Sequence, residues 1–170
     1  MAITALILPL LLFAAWRDLA TRTIPDMVSV VLVAVGAACR LYEGWEPLGL
    51  SIATAAAVFL LLLPFHARGL VGGADVKLLA ALAFGLPPLG SYQLITATAL
   101  AGGLLAGLYV ALRRFLDQSE RRRTPVGRRG FVPLRVWTIE LWRIRRGAPL
   151  PYGVAIAAGA ALVVMTRPGV

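Results

Sequence analysis

Six apolar stretches follow one another along the 170 residues, at about 1–16, 27–42, 48–65, 76–89, 92–112 and 151–166. A hydrocarbon layer about 30 Å thick takes roughly 20 helical residues per crossing, so six crossings consume most of such a chain and leave little for a soluble domain. Composition agrees, with 59% of residues hydrophobic and only 15% charged, where soluble domains carry about 25% charged residues. The expected fold is all-α: a polytopic membrane bundle of about six transmembrane helices forming one membrane-embedded domain over residues 1–170. The fourth stretch is the weakest, since it is short, contains Lys77 and ends at Pro87-Pro88.

Charge placement orients the bundle. The first stretch is apolar from its second residue and is followed by Arg17, the reverse of a cleaved signal peptide with its basic leading region. The N-terminus is therefore expected outside. Fifteen of the seventeen Lys and Arg residues then fall on the inner side, leaving only Arg40 and Arg167 outside, as the positive-inside rule requires of a cytoplasmic membrane protein. Removing the fourth crossing would put the most basic loop outside, so the asymmetry also favours that crossing.

Eleven of the basic residues lie in the cytoplasmic loop at about 113–149. The net charge of +9 is thus a topology signal and a contact for anionic membrane lipid, with no nucleic acid implied. The loop's second half, FVPLRVWTIELWRIRRG, reads equally as an interfacial helix with Trp137 and Trp142 in the headgroup layer or as a solvated linker, because its apolar residues do not gather on one helical face.

Several chemistries are excluded early. Cys39 is the sole cysteine and His66 the sole histidine, so an internal disulfide, a multi-cysteine zinc site and a His-rich metal site are all ruled out. No metal and no cofactor is expected. Thiol catalysis through Cys39 and His66 lacks an orienting third group, and no internal repeat supports an inverted-repeat transporter.

Ionisable groups near membrane depth are costly and point to function. Of the eight acids, Glu43 and Glu46 belong to a short outer loop, while Asp117, Glu120 and Glu140 are counter-charges in the basic loop. Asp18, Asp26 and Asp75 remain. Asp18 ends the first stretch, where a negative charge opposes the helix dipole. Asp26 follows Pro25, and both suit the first turn of the next helix. Asp75 closes Gly72-Gly73-Ala74-Asp75, which reads either as a glycine turn with a helix-starting acid or as a close backbone approach beside a reactive carboxyl. No Walker-type Gly-Lys-Ser/Thr follows, so a nucleotide site is not indicated. The topology sets Asp18 and Asp75 at the same membrane face. A neighbouring carboxyl pair shares a proton, and one member can activate water while the other polarises a carbonyl.

These residues resemble the prepilin leader peptidases of type IV pili, membrane aspartyl proteases of the GxGD class. The family's first motif is matched by Asp18 with Ile24-Pro25-Asp26, its second by Gly72-Gly73-Ala74-Asp75-Val76-Lys77-Leu78, and the start of its last helix by Pro151-Tyr152-Gly153. Ala74 departs from the pattern by replacing the second glycine. The resemblance implies Asp18 and Asp75 as the catalytic pair, with Pro25, Asp26, Gly72, Gly73, Ala74 and Lys77 around the pair or the substrate. It further implies a prepilin or pseudopilin precursor as partner and cleavage at the cytoplasmic face of the inner membrane. The chain resembles the compact members serving tight-adherence (Flp) pili, which implies peptidase activity without N-methyltransferase activity. A non-cleaving pilin-assembly protein and a proton-coupled transporter using the same aspartates are the alternatives.

Overall fold

The computed structural model describes residues 2–120 and 150–166, with side chains from Ile7 to Arg114 and from Leu150 onward. Every regular element among these residues is a helix: α1 (Ala2–Thr21), α2 (Asp26–Glu43), α3 (Trp45–Ala67), α4 (Gly73–Phe84), α5 (Pro88–Glu120) and α6 (Tyr152–Thr166). The joints follow from local chemistry. Arg22 takes a positive φ of 58°, and its N–H donates to the Asp18 carbonyl at 2.9 Å, closing α1 with a left-handed cap. Pro25 is extended and caps α2 from outside, one step ahead of the first-turn position expected from sequence. Asp26 opens the helix, at its positive end.

Three boundaries differ from the sequence expectation. The loop between α2 and α3 shrinks to Gly44, whose φ of +126° suits only glycine, so Glu43 ends α2 and Glu46 lies in the first turn of α3. Helix α4 stops at Phe84, because Gly85 caps it and the Pro87-Pro88 pair opens α5. Helix α5 continues to Glu120, so the first eight residues of the basic loop extend a helix. The rest of that loop, including the interfacial-helix reading, lies outside the described residues.

The short α4 is the hub. Its twelve residues span only about 18 Å, and Val76, Leu78, Leu79, Ala81, Leu82 and Ala83 are all buried among α2, α3, α5 and α6. By contrast, α3 and the 88–114 part of α5 are long and apolar enough to cross a membrane. Both display large apolar side chains outward, including Leu60, Leu61, Leu104 and Leu108. So much continuous apolar surface suits lipid rather than water.

Glycines set the helix spacing. A Cβ on Gly36 would lie 2.9 Å from the Gly85 Cα, and one on Gly159 would lie 2.7 Å from the Thr98 backbone nitrogen. Small residues allow this close backbone approach, the usual way membrane helices gain contact. The α2–α4 approach also lets Arg40, only 7% exposed, donate to the Gly85 carbonyl at 2.9 Å and to Glu43 at 2.6 Å. A cation is thereby paired and turned onto a helix-end carbonyl.

Candidate functional site

The C-terminal end of α1 and the N-terminal ends of α2, α4 and α6 gather at one end of the bundle. Asp18 lies in the last turn of α1 and is buried, at 7% exposure. The sequence raised the difficulty that its charge opposes the dipole of its own helix. A second helix answers it: the Gly153 N–H at the start of α6 donates to Asp18 Oδ2 at 2.8 Å. Only glycine fits there, since a Cβ on Gly153 would lie 2.9 Å from Asp18 Cβ, Asp18 Oδ2 and Ile24 Cδ1 alike. Buried Ile24, three residues past α1, thus closes over the same contact.

Asp75 occupies the third position of α4, ahead of the apolar run 76–89, and is half-buried. Its carboxyl folds back on Gly72, so that a Cβ on Gly72 would meet Asp75 Oδ2 at 2.7 Å. This is the geometry of a side chain reaching back to the cap of its own helix. Burial first, and then the negative charge of Asp18, push the Asp75 carboxyl up from 3.8 to about 6, with the Gly72 backbone hydrogen bond pulling the other way. The two carboxyls are therefore within electrostatic reach. Helices α1 and α4 do not pack directly on one another; α2 and α6 each touch both and hold them in register.

Asp26 and Lys77 meet across α2 and α4, with Lys77 Nζ 3.0 Å from Asp26 Oδ1 and 2.9 Å from Oδ2. Both are exposed. Sequence reasoning grouped these two residues without seeing that they pair. Exposed ion pairs contribute about 0–1 kcal/mol, so Lys77→Met should leave the unfolding midpoint nearly unchanged. A loss of several kcal/mol in detergent denaturation would show the pair to be structural.

The glycine turn is braced from α3. His66 Nδ1 lies 3.0 Å from the Val71 carbonyl, and a Cβ on Gly73 would meet His66 Cε1 at 3.1 Å. Ala74 packs against the core without a positive φ, which explains why alanine serves where a second glycine was expected.

Gly153 is the site residue that sequence reasoning left without a role. The Pro151-Tyr152-Gly153 run was the signal for it, but its partner lies 135 residues away. At the opposite end of the bundle, Arg40, Glu43 and Cys39 border a cavity of about 90 Å³ with Leu32, Leu82 and Val164. Among the described residues no cluster of His, Cys, Asp or Glu could hold a metal ion.

A model described as the Type IV leader peptidase family matches residues 5–108, a segment that contains Asp18, Asp26, Asp75 and Lys77 and stops before Gly153. No curated protein and no solved structure matches the chain.

Proposed function

The chain belongs to the type IV leader peptidase family, and from that premise we propose that it is an aspartic endopeptidase whose catalytic pair is Asp18 and Asp75. Its substrates are prepilin-like precursors with a short basic leader, cut at the cytoplasmic face of the inner membrane. The observation that supports this most is the electrostatic coupling of two carboxyls from α1 and α4 at one end of an apolar bundle. One carboxylate takes a proton from water as its oxygen attacks the scissile carbonyl carbon. The protonated partner hydrogen-bonds the carbonyl oxygen as negative charge develops there. On collapse the C–N bond breaks, and the leaving amine takes a proton from the pair. The single cysteine goes with peptidase activity alone, without N-methylation, and the motifs go with service to Flp-type pili. The 113–149 loop, rich in arginine, is read as a contact for anionic lipid.

The coupling has a pH consequence. The pair works with one proton, and Asp75 holds one up to about pH 6. Cleavage of a precursor, followed by mass spectrometry of its N-terminus, should therefore decline as pH rises above about 6; a rate still climbing through that value contradicts the coupled pair. Stability carries the same sign. A carboxyl raised above its unfolded value binds more protons in the folded chain, so folding stability falls as pH rises from 3.8 to about 6.

Asp26 is paired with Lys77, two residues past Asp75 on α4, and through it can tune the pair. Asp26→Asn is expected to alter the cleavage rate or its pH profile while the unfolding midpoint holds. Unchanged rate and profile would remove Asp26 from the site.

A further inference from the structure

We propose that the N-terminus of α6 divides the labour of the carboxyl pair: the Gly153 N–H holds Asp18 as the ionised base, and Asp75 carries the proton. This deepens the peptidase reading and rests on it for the chemistry, but the division itself is a matter of local geometry.

Three observations carry it. The Gly153 N–H is aimed at Asp18 Oδ2 in a buried contact at 2.8 Å, whereas its neighbours in the first turn are occupied elsewhere: the Tyr152 N–H donates to Leu150 and the Val154 N–H to Pro151. A backbone donor to a carboxylate favours the charged form, and it does so most strongly away from water. Second, α6 is fifteen residues long, so its first turn offers the positive end of a full dipole to a carboxyl placed at the negative end of α1. Third, the absence of a side chain is what lets the two meet, since any Cβ on Gly153 would press into Asp18 itself.

Asp75 also lies near the start of a helix, so a helix dipole alone does not separate the two residues. The difference is that the Asp75 carboxyl turns back to Gly72, the cap of its own helix, whereas Asp18, at the C-terminal end of α1, is met by the first turn of a different helix. The other charged or titratable groups at this end are Arg17 on α1, Arg22 just after it, Asp26 on α2, His66 at the end of α3 with Arg68 just after it, Lys77 on α4 and Tyr152 on α6. Asp26 and Lys77 neutralise each other. From α6, the contribution to Asp18 is therefore a backbone donor and a dipole.

Gly153 is accordingly a positioning residue, and its test reads protonation directly. Infrared titration of the carboxylic-acid C=O stretch, on purified protein in detergent, is carried out on wild type, Asp18→Asn, Asp75→Asn and Asp75→Asn/Gly153→Ala. The band that wild type loses near pH 6 should vanish in Asp75→Asn. In Asp18→Asn it should persist with a lower midpoint, because one of the two causes that raise Asp75 is gone. Adding Gly153→Ala to Asp75→Asn should move the Asp18 midpoint upward by about one pH unit, the scale of a lost charge-assisted hydrogen bond. A wild-type band that survives Asp75→Asn, or an Asp18 midpoint unmoved by Gly153→Ala, overturns the proposal. If Gly153→Ala fails to fold, the single-aspartate variants still decide which carboxyl carries the proton. None of these readouts uses cleavage, so a failed division of roles and a failed peptidase reading give separate results.

Discussion

Asp18→Asn and Asp75→Asn should each lower leader removal by about 10²- to 10⁴-fold, the usual contribution of a positioned acid or base. The amide keeps the size of the side chain. In Asp18→Asn its oxygen can still accept from the Gly153 N–H, which donates to Asp18 at 2.8 Å, so folding should survive and expression should match wild type. In Asp75→Asn the contact with Gly72 can be kept in the same way. What each variant loses is one member of the pair: Asn at 18 cannot accept a proton from water, and Asn at 75 cannot supply one to the leaving amine. The double variant should be no worse than the poorer single one, because groups that act as a unit do not lose activity additively. Processed substrate at wild-type levels in either single variant would return both aspartates to structural roles. A proton-coupled flux lost alongside intact processing would favour the transporter alternative.

The second large effect concerns glycines that look alike in sequence but differ in what surrounds them. Gly36→Ala and Gly159→Ala should each destabilise the bundle by about 1–3 kcal/mol, the cost of forcing extra volume into a packed contact. In both cases the clash is with backbone, at 2.9 Å from Gly85 Cα and 2.7 Å from Thr98 N, and backbone cannot swing aside as a long side chain can. Gly103→Ala in α5 should act in the opposite direction. Nothing lies within 4 Å of a Cβ there, and alanine in a helix interior gains up to about 1 kcal/mol over glycine. Unfolding in detergent, compared across the three variants, should show two midpoints falling and one holding or rising. Gly159→Ala should also reduce cleavage, because it displaces the helix that brings Gly153 to Asp18. Equal effects at positions 103 and 159 would mean that α5 and α6 do not meet at Thr98.

The apolar spacing made the helices legible, along with the placement of Asp18 and Asp75 at helix ends. Local breakers such as Pro25 and the Pro87-Pro88 pair gave boundaries to within a few residues. Long-range pairings were not legible in the same way. Arg40 counted only as an outer charge in the sequence, yet it is buried and bound to the Gly85 carbonyl 45 residues on, a contact that depends on Gly36 admitting α4. Asp26 and Lys77, 51 residues apart, were each expected near the site, but their ion pair follows from the parallel packing of α2 and α4. The contact between Gly153 and Asp18 spans the greatest separation, 135 residues. No periodicity encodes it. What the sequence did offer was a physical conflict, an acid at the wrong end of a helix dipole, and the fold resolves that conflict with the end of another helix.

Asp18 and Asp75 are proposed to cut a leader from a pilin-like precursor. The most direct measurement is the N-terminal mass of such a precursor after incubation with the purified chain in lipid vesicles, run beside Asp18→Asn/Asp75→Asn at slightly acidic pH. Wild type should release the basic leader as one discrete fragment, and the double variant should leave the precursor whole. An intact precursor with wild type, or equal cleavage by both proteins, contradicts the account.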